Sequence, residues 1–237
     1  MFTLKFLFHC LFVLFMIYPM VMHINPFLTF ILSNFFTYFH YSMSTWIYIP
    51  SNKGLSQRNI SYISCNFTKS VFLAALSFYG FNVLLEYENL KENNINYIKN
   101  LGAIYSALDT SALFYNKKMS SSTIFHHVVV FIFFFINLFS DYNSESIVNI
   151  ILYYAIFSSF TFFINYLLAI RFIKDITPES YRNSAILYGI ILCINWMYHF
   201  QYFSNVSFKL IEHSIMLLLL SIVAYDDIML IKWCISQ

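Results

Sequence analysis

Apolar runs of membrane-spanning length return along the whole chain, separated by short polar turns. A helix needs about 20 apolar residues to cross some ~30 Å of hydrocarbon, so each run reads as a transmembrane helix. Eight segments result: Met1 to Met22, Phe27 to Ile49, Ser61 to Leu85, Ile98 to Tyr115, Ser122 to Phe139, Ile147 to Phe172, Asn183 to Phe203 and Phe208 to Trp233. The charged fraction agrees, at 10% against about 25% in a soluble domain, which is too little to cover a surface in water. The expectation is an all-α polytopic transmembrane bundle of eight helices, or seven if the first is removed. A net charge of +2 without a basic block gives no case for nucleic-acid binding.

The first segment carries one lysine, Lys5, and exits through Tyr18-Pro19-Met20, without a small-x-small cleavage site. Residues 1–26 are therefore expected to be a retained helix rather than a cleaved signal peptide. Trp46 and Tyr48 look like an interfacial belt, with His40 near it, and Lys69 is expected to snorkel to the nearer surface. Glu86 to Lys99 reads as a solvated loop, and the segment from Ile147 to Phe172 is too long for an upright span and so tilted or extending past the bilayer. His199 lies in an aromatic-rich helix end, and Asp226 and Asp227 read as interfacial first and as a paired-carboxylate site second. Cys10, Cys65, Cys193 and Cys234 are scattered singly and imply neither a disulfide framework nor a CxxC metal site. Cys234 formally opens a C-a-a-X box, with Ser236 at a position that normally carries an aliphatic residue.

Counting Lys and Arg sets the expected orientation. With both termini cytosolic, that side holds Lys5, Lys53, Arg58, Lys117, Lys118, Arg171, Lys174, Arg182 and Lys232, and the other holds Lys91, Lys99 and Lys209. Nine against three is a positive-inside bias.

Ionisable groups inside apolar helices carry the functional signal, because each costs about 2.5 to 3.5 kcal/mol at a bilayer centre on insertion scales. Asp109 lies six residues before Tyr115, roughly 9 Å down its helix, and His126 and His127 lie roughly 6 to 8 Å down the next. In an antiparallel hairpin they meet at one level. Gly102, Tyr105, Ser106, Asp109 and Ala112 form a small, polar stripe at i, i+3, i+4 spacing, which should face inward. The histidines are about 100° apart around their helix, so at most one should point straight at Asp109. No HExxH-like pair accompanies them, and no metal is expected.

Tyr105 and Asp109, followed by His126-His127 and an unbroken apolar run, resemble the TLC family, the domain shared by TRAM, ceramide synthases and related lipid-handling membrane proteins. Arg58-Asn59-Ile60-Ser61 is similar to that family's entry motif, so the resemblance covers residues 33–233. It implies a helical bundle with a cavity between helices, in the endoplasmic reticulum or another endomembrane. Family members usually carry a His where this chain has Ser64. Many also carry a buried Glu, or in ceramide synthases a His-Asp, where this chain reads Ile156-Phe157-Ser158-Ser159.

Three functions follow. The first is structural: an intramembrane hydrogen bond from a histidine to Asp109 fixes helix packing, at about 0.6 kcal/mol. The second, implied by the resemblance, is N-acyl transfer with acyl-CoA as co-substrate, in which His126 or His127 acts as base or nucleophile and Asp109 orients it. The third, preferred here, is binding, sensing or moving a single-chain or sphingoid-like lipid, whose head is held by Tyr105, Ser106, Asp109, His126 and His127. Membrane lipid is the expected partner, no cofactor is expected, and nothing in the sequence specifies a homo-oligomer.

Overall fold

The computed structural model describes residues 2–48, 54–142, 147–205 and 210–237. Among them are nine helices and no strand. They are α1 (Phe2–His23), α2 (Pro26–Tyr48), α3 (Gln57–Asn93), α4 (Ile95–Tyr115), α5 (Ser121–Phe139), α6 (Val148–Ser159), α7 (Phe162–Ile170), α8 (Pro178–Asn205) and α9 (Leu210–Ile235). The side chains of Trp46, Tyr48, Glu212 and His213 lie outside the described residues, as do Phe208 and Glu145 altogether.

Side chains at the turns start these helices. Ser56 accepts from the Asn59 N–H at 3.3 Å, Asn94 from Tyr97 at 3.2 Å, and Ser120 from Thr123 at 3.1 Å. Each satisfies a helix-end donor that has no partner in its own helix, an effect of about 1 kcal/mol. Thr177 does the same for Ser180, just ahead of a helix whose first residue is Pro178.

Among the described residues four helices contain windows long and apolar enough to cross a membrane, α1, α3, α5 and α9, and the bent pair α6–α7 makes a fifth if it is one span. The eight spans expected from the sequence are thus not all of that kind. Helices α2, α4 and α8 carry interior polar residues, including Thr37 and Ser44, Asn100 and Ser111, and Asn195, that lower their apolar character while facing other helices. Large apolar side chains such as Phe15, Phe35, Phe78, Phe139, Met197 and Leu218 stand exposed on the outside. A polar-lined interior under an apolar exterior is the arrangement of an integral membrane protein.

Two expectations about the connections are corrected. Glu86 to Lys99 is no loop: α3 continues through a local kink at Glu86 (φ −124°, ψ 27°) and α4 begins two residues after α3 ends. The segment from Ile147 is no single tilted helix either, because it bends by 46° between α6 and α7. Ser159 donates to the Ile156 carbonyl at 2.6 Å and Thr161 to that of Ser158 at 2.7 Å, so hydroxyls compete with the helical ladder where it breaks. Ser70 of α3 donates to the Phe162 carbonyl at 2.8 Å, which satisfies one of the backbone groups near the break.

Helix α4 is the hub. Ile98, Ala103, Ile104, Ala107 and Asp109 are fully buried on it. A Cβ at Gly102 would stand 2.8 Å from Nδ2 of Asn137, which is itself braced on the Lys99 carbonyl and by Tyr142, so α4 and α5 approach closely only because that residue is glycine. His40 is not interfacial: its Nδ1 lies 2.9 Å from the Thr68 hydroxyl and its Nε2 3.3 Å from His9, tying α1, α2 and α3 together. His199 is also buried, edge-on to Trp196. The Cys234 thiol packs with Ile164, Leu167 and Leu168 in the interior.

Candidate functional site

The hairpin of α4 and α5 brings Asp109, His126 and His127 to one level. Asp109 is fully buried, and its nearest partner is the Lys69 ammonium of α3, which forms an ion pair with Oδ1. Lys69 therefore does not snorkel outward. A carboxylate removed from water is held most cheaply by an ammonium in direct contact, and the lysine stem spends its length reaching it.

His127 is the histidine closer to Asp109, and His126 stands further from it along the cavity lining. His127 Nδ1 lies 2.9 Å from the Asp109 backbone carbonyl and 3.6 Å from Oδ1. A carbonyl only accepts, so in the neutral ring Nδ1 carries the hydrogen and Nε2 is left with a lone pair. His126 lies between two acids, with Nε2 3.9 Å from Asp109 Oδ2 and Nδ1 3.4 Å from Asp226 Oδ2. The Tyr154 hydroxyl of α6 sits 3.3 Å from the same Nε2.

Asp226 and Asp227 belong to this interior rather than to an interface. Thr123 donates to Asp226 Oδ1 at 3.2 Å, and the Tyr188 hydroxyl donates to Asp227 Oδ1 at 2.6 Å. Six helices, α3, α4, α5, α6, α8 and α9, thus contribute one polar group or more to a single cluster.

The cluster forms part of the wall of a cavity of about 540 Å³. Lys69, Tyr105, His126, His127, Asp226 and Asp227 are among its polar lining residues, and Leu73, Leu108, Ile164, Leu168 and Leu230 among its apolar ones. At its mouth stand the exposed turn residues Lys118 and Ser120 together with Arg58 and Arg171. Asp109 is not among the lining residues; it stands behind Lys69 and acts on the cavity through its partners. Ser106 is off the cavity too, because its hydroxyl donates to the Val130 carbonyl at 3.3 Å and ties α4 to α5. Among the described residues no group of three or more His, Cys, Asp or Glu is arranged to hold a metal ion.

Sequence reasoning did not place Lys69, Tyr154, Tyr188, Asp226 or Asp227 here. The signal for Lys69 was present, since an ionisable residue in the middle of an apolar helix calls for a partner at its own depth.

Fold and cavity together define the class: among the described residues an all-helical protein with helices long and apolar enough to cross a membrane and a chamber with polar lining residues. No protein-family model, curated protein or solved structure matches the chain.

Proposed function

We propose that the protein binds an amphiphilic membrane lipid in this cavity and handles it there, as the resemblance to the TLC family implies. One observation carries the reading: a single chamber of about 540 Å³ is lined both by leucine and isoleucine side chains and by a buried Lys–His–Asp cluster. Ligand pockets of roughly 300 to 1,000 Å³ with mostly apolar walls and a few convergent polar groups are the usual form of small-molecule sites. A single acyl or sphingoid chain fits the apolar wall, and its amine or hydroxyl head fits the polar one. Photo-crosslinking with a diazirine-bearing single-chain lipid tests this. Label should concentrate on cavity residues such as Leu73, Leu108 and Leu168, whereas label spread over outward-facing Phe15, Phe78 and Leu218 would remove the reading.

A second reading, acyl transfer, is favoured by one feature. The Asp109 carbonyl fixes the Nδ1–H form of His127, which leaves Nε2 to take a proton from an amine as its nitrogen attacks an acyl thioester and the thiol departs. Consumption of acyl-CoA only when an amine acceptor is present separates this enzyme from a lipid-binding protein.

The orientation we propose puts the cavity mouth towards the cytosol, in an endomembrane, because Arg58, Lys118 and Arg171 stand at the mouth and belong to the nine Lys and Arg of the more basic side. A glycosylation sequon inserted near Asn143 should be modified in cells while sequons at both termini stay unmodified. A glycosylated C-terminus would reverse the assignment.

A further inference from the structure

Three cations, Arg58, Lys118 and Arg171, line the mouth of the cavity. Neutral groups hold them there. The Arg58 Nε–H donates to the Lys117 carbonyl at 3.2 Å, and the Lys118 ammonium donates to Asn59 Oδ1 at 3.0 Å. Lys118 also sits 4.6 Å from the Phe172 ring centre and 5.8 Å from that of Tyr62. The Arg171 guanidinium lies over the same two rings, at 4.8 and 5.2 Å, and over Trp233 at 4.3 Å.

Among the described residues no carboxylate pairs with any of the three within 4.0 Å. The acids that line the same cavity are engaged deeper inside, Asp226 with Thr123 and His126 and Asp227 with Tyr188. Arg171 Nε is buried and makes no hydrogen bond. Lysines and arginines ring the cytosolic face of many membrane proteins, where water and lipid surround them. Here two cations share the same pair of aromatic rings, one of them has a buried donor left over, and all three face a chamber.

Like charges gathered without a counter-charge repel, and an anion between them relieves that repulsion while using the unmet donors. The planar guanidinium matches phosphate oxygens in pairs, and lysine adds a point charge. We propose that the mouth binds the phosphate of a single-chain phospholipid whose hydrocarbon tail lies along the apolar wall of the cavity. The tail is argued from continuity: Leu108 and Leu168 line the same chamber as Lys118 and Arg171, so an anion at the mouth has an apolar surface directly behind it. The inference rests on the lipid-binding reading above and adds a phosphate at the mouth to the hydroxyl that the Lys–His–Asp cluster holds further in.

The test uses the full-length protein in nanodiscs of neutral lipid, with oleoyl lysophosphatidic acid and its phosphate-free counterpart, monoolein, as probes. The phosphate-bearing lipid should bind at least about tenfold more tightly, as charge-assisted hydrogen bonds imply, and the preference should shrink with added salt. Arg171→Gln should abolish the preference and Lys118→Gln weaken it, with monoolein binding unchanged in both, while Arg171→Lys should retain part of it. Lys118→Gln lies on an exposed turn and carries the test if Arg171→Gln fails to fold. Equal binding of the two lipids, or equal loss of both in the variants, overturns the phosphate assignment and leaves lipid binding standing. Binding of neither lipid overturns both readings. Inorganic pyrophosphate that binds as tightly as the phosphate lipid, and displaces it, overturns the lipid source in favour of a soluble anion.

Discussion

Lys69→Met should destabilise the folded protein by about 3 to 5 kcal/mol, the range found when one partner of a buried ion pair is removed. The substitution keeps most of the side-chain volume, so packing around α3 changes little and the loss comes from Asp109. Its carboxylate is fully buried and would keep only the two histidines, at 3.6 and 3.9 Å, as candidates to balance its charge. The double variant Lys69→Met with Asp109→Leu removes both charges and should recover much of that stability, because a buried pair replaced by apolar side chains is often neutral. Thermal unfolding in detergent measures both. A single variant as stable as the wild type would mean that Lys69 reaches water instead of Asp109.

His127→Ala has the largest expected effect on function. The ring lines the cavity, but it also donates to the Asp109 carbonyl, so its loss costs a packing bond of about 0.6 kcal/mol on average for the membrane interior. A loss of that size leaves the protein folded. If the ring holds a lipid head, occupancy should fall roughly tenfold or more, since a charge-assisted or buried polar contact is worth about 1.5 to 3 kcal/mol. If it is the base of an acyl transfer, turnover should fall by about 10²- to 10⁴-fold. Asp109→Asn should act mainly through stability, because Asp109 lies behind Lys69 and off the cavity wall. His127 and Asp109 should be non-additive in a double-variant cycle, as groups in one hydrogen-bonded cluster are.

The helices were legible from the recurrence of apolar runs, each of which overlaps a helix in the structure, although only α1, α3, α5, α9 and the α6–α7 pair have the length and apolar character of a span. The hairpin of Asp109, His126 and His127 was legible for a related reason: in two adjacent antiparallel helices, depth follows from counting residues from the turn between them. Lys69 lies eight residues, roughly 12 Å, beyond Ser61, where the expected span begins, which puts it near the depth counted for Asp109. What the sequence does not specify is that α3 turns that face to α4.

Asp226 was misplaced for a different reason. The expected span already ran to Trp233, so depth did not decide it; both acids belong to the interior because α9 turns them towards Thr123 and His126 of α5 and Tyr188 of α8. The break between α6 and α7 depends on hydroxyls choosing backbone carbonyls and on Ser70 reaching across from α3, and these are contacts between helices that no periodicity in one helix encodes.

Whether the polar cluster on the cavity wall holds a lipid is decided by native mass spectrometry of the purified, folded protein, which counts lipid bound per molecule in wild type and His127→Ala. The wild type should carry a defined lipid species, and an equally folded variant should show roughly tenfold lower occupancy. An unchanged lipid complement on folded His127→Ala would contradict lipid binding by the cluster and leave it a brace between helices.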